Sequence, residues 1–424
     1  MKTKTLYILA AVAVLALVVA VIMNRSSAPQ SDVTEQAKPL LPGLKEHVND
    51  VSGITLIGAG NKTLLTLRRD KDGWVIAEKS NYPVDMTKVR EFLLKLSQAK
   101  LLEQKTSNPK RYAELGVDEV KDNDAKGVLV DIAGLPQPSK LIIGNYNGGG
   151  GGGTFVRRDG DAQSWLANEN LTVAKNASDW EKRDLADIAA SRLRSASLTS
   201  ADGKTLNVYK YQPSDANFKI ADLPKGREAS SEFAANNLGS VLANLRADDV
   251  AAAKDVPLAD KPNKAQYATF DGVHVDATLW QKDNKDYAQF TASLDTDAAN
   301  ADIARAQAKA KADYDAAIAA AKKTDDAKSA ETKPETAEAK PAEPPKPLAV
   351  SDSAKDRQER LDALNGEVAA LNKTFAGWTF TLPTFKYADM TKSMDDMLKP
   401  LETKKPDAKD TKTAPKASPK PASK

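Results

Sequence analysis

The chain downstream of residue 48 opens with short runs in which apolar and polar residues alternate. Ile54–Ile57 and Thr63–Leu67 are rich in β-branched and other apolar residues, and the turn residues Asp70–Gly73 lead into Trp74–Ile76. After Pro83 the apolar residues recur at helical spacing. They are Val89, Phe92, Leu93 and Leu96. This pattern predicts a meander of antiparallel strands followed by a helix that packs one face on the sheet.

The same order of elements returns further along the chain. One offset of 144 residues relates three pairs of residues: Leu67 and Tyr211, Trp74 and Phe218, and Val89 and Phe233. Strands are predicted at Leu193–Leu198 and Leu206–Tyr211, and a second amphipathic helix through Phe233–Leu245. A duplicated meander-plus-helix unit explains the pattern. Chance similarity of two ordinary α+β stretches is the alternative.

Further runs predict that sheet continues between and after the two copies. The predicted strands are Gly127–Asp131, Lys140–Gly144, Thr154–Val156, Tyr267–Phe270, Val273–Leu279 and Tyr287–Leu294. The glycines Gly148–Gly153 predict a flexible loop, and Asp179–Ile188 predicts a short helix that leads into the second copy. The predicted body is therefore dominated by sheet.

The last third of the chain differs in composition. Asp297–Lys323 is rich in alanine, which favours an exposed helix with little apolar surface to bury. Thr324–Pro347 is rich in Pro, Glu, Lys and Ala, which is typical of disordered segments. Helical spacing resumes at Leu361–Phe375, so this insertion predicts two antiparallel helices with a disordered tip. Trp378–Leu382 predicts a returning edge strand.

The N-terminal region contains one continuous apolar segment, Leu6–Met23. As a helix it spans roughly 27 Å, close to the hydrocarbon core of a bilayer at about 30 Å. Lys2 and Lys4 precede it and Arg25 follows, so the positive-inside bias predicts a cytoplasmic N-terminus and a periplasmic body. The alternative is a cleaved signal peptide, which the length of the segment and Pro29 after the small residues disfavour.

These patterns predict seven regions. They are an N-terminal transmembrane anchor (1–25), a linker (26–47), a first α+β repeat domain (48–190), a second α+β repeat domain (191–296), an Ala-rich helical insertion with a disordered tip (297–375), a closing strand segment (376–399) and a disordered Lys/Pro tail (400–424). The predicted fold class is α+β: a duplicated antiparallel β-meander plus helix unit, with one N-terminal transmembrane helix and an inserted helical hairpin.

Composition limits the chemistry of the chain. There is no cysteine, which excludes disulfides, thiolate metal sites and a cysteine nucleophile. The only histidines, His47 and His274, lie outside any metal-ligand spacing. The formal charge of +3 comes from the Lys-rich tail, so the rest is nearly neutral and nucleic acid is not an expected partner. No catalytic residue, cofactor or metal is predicted.

The remaining candidate residues predict binding and no chemistry. Gly148–Gly153 and Gly203–Thr205 imitate phosphate-binding loops, but a strand and not a helix follows each. Four arginines end strands near turns and, together with one tryptophan, are the predicted partner-binding residues. They are Arg68, Arg69, Arg157, Arg158 and Trp165. A solvated face for the arginines and a core position for the tryptophan are the alternatives.

The order of several short motifs resembles one known family. The motifs are Gly73–Ile76, Tyr112–Val117, Leu141–Gly144, Phe155–Arg157, Asp179–Ile188, the second unit around Phe218, and Gly377–Pro383. On these residues the chain is similar to the domain of unknown function 4340 family, over roughly residues 48–294 and 377–398. The resemblance implies a bacterial membrane-anchored protein found with ABC transporter components of the gliding-motility type, without established catalytic or binding residues.

Together these observations favour a non-catalytic, membrane-anchored periplasmic accessory or scaffold protein of an ABC-type envelope transport system. Its expected partners are the membrane, which it crosses once, and envelope proteins such as ABC transporter subunits. The alternative is a cell-wall or polysaccharide binding module, in which the Lys-rich tail meets anionic polymer and exposed tryptophans stack on sugars. A third hypothesis is an enzyme that uses paired carboxylates.

Overall fold

The structure, a computed structural model, describes residues 38–137, 139–149, 152–329 and 344–400. The chain divides into two units. The first runs to Arg183 and includes Asp249–Ala251; the second comprises Asp184–Asp248 and the chain from Ala252 onward. The predicted anchor Leu6–Met23, most of the insertion tip and the tail lie outside the described residues. Among those described, no helix has the length and apolarity needed to cross a membrane.

The described residues form nineteen strands and seven α-helices. The strands are β1 (Gly53–Gly58), β2 (Lys62–Asp70), β3 (Gly73–Ile76), β4 (Tyr82–Pro83), β5 (Leu101–Gln104), β6 (Val128–Ala133), β7 (Ser139–Tyr146), β8 (Thr154–Arg158), β9 (Ser164–Ala167), β10 (Asp184–Ala186), β11 (Leu193–Thr199), β12 (Thr205–Tyr209), β13 (Lys219–Ile220), β14 (Leu245–Arg246), β15 (Asp249–Ala252), β16 (Asn263–Thr269), β17 (Val273–Lys282), β18 (Lys285–Leu294) and β19 (Trp378–Thr381). The helices are α1 (Met86–Gln98), α2 (Tyr112–Leu115), α3 (Asn236–Gly239), α4 (Thr296–Ser329), α5 (Leu348–Ser351), α6 (Ser353–Phe375) and α7 (Thr384–Met390).

The first sheet has nine strands in the order β4-β3-β2-β1-β6-β7-β8-β9-β5. Alternate residues of β1 are buried, as expected for a strand with one face on a core. Helix α1 covers this core. The Asp85 carboxylate caps α1 by accepting a hydrogen bond from the Thr87 amide, and the helix buries the four predicted apolar residues. The strands and helix predicted at the start of the chain are therefore confirmed, and Trp74 lies in the core.

A second sheet has eight strands in the order β13-β12-β11-β16-β17-β18-β19-β15. Eight strands of the first sheet follow the corresponding order, β3-β2-β1-β6-β7-β8-β9-β5. In both sheets neighbouring strands, such as β1 with β2 and β6 or β11 with β12 and β16, are antiparallel. The short strands β10 and β14 form a separate pair. The protein is thus a mixed α+β structure with antiparallel sheets, as the sequence predicts at that level.

A local pairing pattern also recurs. In the first unit, Val84 bridges Glu181, and hydrogen bonds from Asp85 to Trp180 and from Lys182 to Pro83 flank that bridge. In the second unit, Ala229 bridges Leu398. The flanking bonds there run from Ser230 to Met397 and from Lys399 to Glu228. The two units therefore hold the segment before α1 and the segment before α3 in the same way.

Two predicted helices are wrong in extent or kind. The helix predicted through Phe233–Leu245 is reduced to the four residues of α3, and Phe233 is exposed. The helix cannot extend to Leu245, because Leu245 and Arg246 form β14, whose backbone pairs with β10. The range Asp179–Ile188 is not a helix: its residues Asp184–Ala186 form the strand β10, whose backbone pairs with β14.

The insertion forms the predicted pair of helices, α4 and α6. Helix α4 continues to Ser329, six residues beyond the predicted end. Hydrogen bonds from Arg357 to Asn300 and from Gln307 to Ser353 and Asp356 hold the two helices side by side. Strand β19 follows, but it lies between β18 and β15, so the prediction of an edge strand is wrong.

Candidate functional site

A groove of about 460 Å³ opens in the first unit between α1 and the extended residues 170–174. Its floor is aromatic. Phe92 and Trp180 meet edge to face, with ring centroids 5.7 Å apart and an interplanar angle of 81°. The Trp180 indole donates a hydrogen bond of 3.0 Å to the Ala174 carbonyl, so the floor and one wall are fixed to each other.

The wall opposite α1 is an extended segment outside the sheet. Leu171 and Val173 turn towards the core while Asn170, Thr172 and Ala174 are exposed, which is the alternation of a strand. Thr172 donates its amide to the side chain of Asn170. Within the described residues, no hydrogen bond involves the backbone of Val173. The groove therefore offers strand-like backbone groups beside an apolar floor.

The lysines of the groove are already engaged. The Lys88 ammonium donates to the Asp179 carbonyl, and Lys95 forms an ion pair of 2.8 Å with Glu91 one helical turn earlier. The rim is therefore polar without a strong net field. Such a site suits a ligand that contributes an extended backbone and apolar side chains.

A buried ion cluster lies beside the groove residue Trp180. The Glu181 side chain is completely buried, and the Lys79 ammonium lies 2.9 Å from its Oε1. The same ammonium lies 2.5 Å from Asp249 Oδ1 and donates to the Val250 carbonyl at 3.1 Å. Neither Glu181 oxygen accepts a well-aligned hydrogen bond within the described residues. One lysine thus serves two carboxylates.

The environment shifts the pKa of all three groups. Burial raises the pKa of Glu181 more than the Lys79 ammonium lowers it. Burial opposes ionisation of both Lys79 and Asp249. The close contacts with the Asp249 and Glu181 carboxylates outweigh it and raise the pKa of Lys79, and the hydrogen bond from Lys79 keeps the pKa of Asp249 below its ordinary value. Because Glu181 is closed off from solvent, we interpret the cluster as an element that holds the backbone.

The predicted binding residues Arg68 and Arg69 lie on β2. Arg68 donates to the side chain of Asn81 at 2.8 Å, and Arg69 donates to the Asn49 carbonyl at 3.1 Å. The Arg69 guanidinium also lies 5.8 Å from the centroid of the Trp74 ring. Both arginines therefore have local partners.

Arg157 and Arg158 lie on β8, which three strands separate from β2. At about 4.8 Å per strand, the two arginine pairs are roughly 19 Å apart in the sheet. Arg157 is buried and donates to Val117, Glu119 and Asp161, with its guanidinium 4.6 Å from the Tyr112 ring centroid. Arg158 donates to the carbonyls of Pro39 and Leu40. Half-buried Trp165 packs against the core. The structure does not bring these residues together.

The two histidines lie apart from the groove. His47 is paired with Asp50 at 2.8 Å, and His274 is on β17 with its Nε2 buried and without a partner in the described part of the chain. That part contains no group of three or more His, Cys, Asp or Glu residues placed to hold a metal ion.

The sequence pattern missed the ion cluster and the groove. Glu181 stands in the charged run Asp179–Asp184, which has the composition of a solvated surface. Its partners Lys79 and Asp249 come from distant parts of the chain, so no local spacing signals them. Phe92 and Trp180 were visible as apolar positions, but their edge-to-face packing depends on the turn that precedes Trp180.

A comparison with protein-family models matches residues 74–267 to a model described as Domain of unknown function (DUF4340). The matched segment begins at Trp74 in β3 and ends at Tyr267 in β16. It contains Lys79, Glu181, Asp249 and both aromatic residues of the groove. No match was found among curated proteins or among solved structures.

Proposed function

From the membership of residues 74–267 in the DUF4340 family, we propose that this chain is a non-catalytic, membrane-anchored accessory or scaffold protein. It acts in the periplasm as part of an ABC-type envelope transport system. It binds a protein partner through the groove between α1 and residues 170–174. The sequence of Leu6–Met23 supports the anchor, and the family resemblance supports the envelope system.

The groove is the observation that carries the binding role. Phe92 and Trp180 provide an apolar floor, and the unpaired backbone of Val173 provides a donor and an acceptor along one wall. An extended peptide satisfies those backbone groups and covers the floor with its side chains. We further infer that the two sheets arose by duplication of one unit, which their common strand order supports.

Affinity purification from gently solubilised membranes tests this role. Thr172 is exposed on the groove wall, and Thr172→Trp places an indole in the groove without changing the core. Thr63→Trp is the matched control at an exposed position of β2. We expect the wild-type chain and the control to recover the same envelope proteins, ABC transporter subunits among them. We expect Thr172→Trp to lose them.

Two outcomes contradict the proposal. One is recovery of no envelope protein under conditions that preserve other membrane complexes. The other is equal recovery by Thr172→Trp and wild type, which would place the partner elsewhere on the chain.

The alternative function, a cell-wall binding module, is tested in parallel by sedimentation of the protein with purified peptidoglycan.

A further inference from the structure

The second sheet ends in an open edge next to a cavity. Strand β13, only two residues long, is the outermost strand, and a cavity of about 450 Å³ lies beside it. Phe218, Ile220, Leu223 and Ala229 provide apolar lining. Leu223 is exposed, as are the neighbouring aromatic residues Tyr211 and Phe233. Exposed apolar residues around a sheet edge indicate a binding surface.

Only one side of the β13 backbone has hydrogen-bond partners in a neighbouring strand. Ile220 stands opposite Val208, and the Ala221 amide donates to the Asn207 carbonyl. In an antiparallel ladder this makes Ile220 a non-hydrogen-bonded pair with β12, so its amide and carbonyl point to the open side. Among the described residues, neither the Phe218 carbonyl nor the Ile220 carbonyl accepts a hydrogen bond from outside the β12 ladder.

The first unit shows what fills the same position. Its strand β3 corresponds to β13, and β4 pairs with its outer side through Ile76 with Tyr82 and Val75 with Pro83. The Ile76 carbonyl accepts from the Asn81 amide, and the Trp74 carbonyl accepts from Val84. These carbonyls correspond to those of Ile220 and Phe218 at the offset of 144 residues.

Tyr82 closes the space beside β3. Its side chain is buried, and its hydroxyl donates to the Lys182 carbonyl at 2.8 Å. In the second unit the chain between β13 and α3 carries Gly226 and Arg227 in the corresponding stretch and forms no strand on β13. The second sheet has no counterpart of β4 in the described residues, and a cavity lies beside β13 instead.

We propose that β13 and its cavity bind an extended peptide from a partner protein, one that carries an aromatic residue followed by proline. The peptide adds as a strand to the open side of β13, pairs with the backbone of Ile220 and inserts its ring against Phe218. Main-chain pairing supplies affinity in such complexes, and the side-chain pocket supplies selectivity. This site is separate from the groove of the first unit, so neither proposal depends on the other.

The C-terminal segment of the chain is the competing occupant. Lys399 pairs with Glu228 and Leu398 with Ala229, so the described residues before segment 401–424 lie beside the cavity. That segment contains one leucine and no aromatic residue. It cannot supply the ring for which Tyr82 is the template, and we therefore assign the site to a partner.

The probe is a labelled peptide that copies residues 79–85 of this chain, the segment that occupies the equivalent edge in the first unit. Fluorescence anisotropy measures its binding to the full chain in detergent. We expect saturable binding, and at least tenfold weaker binding of the same peptide with Ala in place of its Tyr. A peptide that lacks the ring loses the side-chain contact with the cavity but keeps its backbone pairing with β13.

Two variants block the site in different ways. Ile220→Pro removes the amide donor of the open edge. Ser231→Trp fills the cavity from an exposed position and spares the core, and Ser107→Trp is its matched control in the first unit. We expect both blocking variants to weaken binding at least tenfold, and the control and Thr172→Trp to bind as wild type does.

Equal binding of the two peptides, or undiminished binding by Ser231→Trp, would overturn the proposal. In the last part of the experiment, the same peptide is bound to a truncated chain that ends at Pro400. Unchanged affinity for the peptide supports a partner as occupant. Tighter binding after truncation would show that the tail occupies the edge and would overturn the assignment to a partner.

Discussion

Two charged side chains of the first unit, Arg157 and Lys79, are each held by several partners. Arg157 donates hydrogen bonds to three acceptors and contacts a tyrosine ring, and Lys79 pairs with two carboxylates and donates to a carbonyl. A buried charge without such partners is costly, because the protein interior replaces water poorly. These residues therefore fix backbone segments whose positions hydrophobic burial alone does not specify.

Removing Lys79 should expose the cost of the buried Glu181. We expect Lys79→Met to lower the free energy of unfolding by about 3–5 kcal/mol at pH 7.5, since it leaves a buried carboxylate without its cation. The double variant Lys79→Met/Glu181→Gln should recover most of the loss. Urea unfolding measures both, with Lys71→Met in an exposed turn as the control.

The pH dependence of that loss has a definite sign. The pKa of Glu181 is raised in the folded state, so its contribution favours folding at low pH and is lost as the pH rises through the folded value. The destabilisation of Lys79→Met, measured at pH 7.5 and at pH 5, should therefore be smaller at the lower pH, because the raised pKa of Glu181 favours its protonated form as the pH falls. An equal loss at both pH values would show that Glu181 is not the source of the cost.

Arg157 should not tolerate even a lysine. We expect Arg157→Lys to cost about 2–3 kcal/mol, because one ammonium cannot reach Val117, Asp161 and Glu119 together and leaves buried acceptors unpaired. Arg158→Lys is the control: its two carbonyl partners lie in a more exposed setting, so a loss below about 1 kcal/mol is expected. Equal losses in urea unfolding would contradict this account of Arg157.

At the scale of secondary-structure elements, the sequence pattern predicted the strands and helices that depend on residues close in the sequence. The strands around the turn residues Asp70–Gly73 and the helix α1 follow from local spacing and were predicted. The short extent of α3 did not follow, because the pairing of β14 with β10 joins segments that are distant in the sequence. The place of β19 inside the sheet depends on β15, which comes more than 100 residues earlier in the chain, and no local pattern reports it.

Helix α6 is attached to the second sheet by one ion pair and one amide. Arg192 forms a two-pronged pair with Glu367, at 2.8 and 2.7 Å, and also contacts Asp271 at 2.6 Å. The side chain of Asn372 exchanges two hydrogen bonds with the backbone of Ala292. These contacts align α6 along β18 and place Phe375 against Phe290.

Loss of the Glu367 carboxylate should loosen this attachment. We expect Glu367→Ala to lower the free energy of unfolding by about 1–2 kcal/mol, because Arg192 keeps Asp271 but loses both prongs of the pair. Glu359→Ala is the control, since Glu359 is exposed and 3.9 Å from Lys355, and should cost less than about 0.5 kcal/mol. If the two variants unfold at the same urea concentration, the pair does not anchor the helix.

At the scale of the whole molecule, one strand order occurs in both sheets, and the two sheets differ at identifiable places. The first sheet has β4 on its edge, whereas the second has an open edge. The second sheet also carries α4 to α6 between β18 and β19, where the first sheet joins β8 to β9 by a short turn. The segment that matches the family model runs from β3 to β16 and so includes strands of both sheets.

The outer part of the insertion should be dispensable for folding. Gln307 of α4 bonds to α6, and none of residues 308–322 is buried, so this part of α4 contributes little apolar burial. Replacing residues 320–343 by Gly-Ser-Gly should change the free energy of unfolding by less than about 1 kcal/mol, since loop length enters only logarithmically. Circular dichroism should show less helix with an unchanged urea midpoint.

Deletion of 297–375 is the contrasting variant. It should destabilise the protein strongly, because it removes Phe375 from the core. Equal unfolding behaviour of the two variants would contradict the division of the insertion into a packed base and a projecting arm.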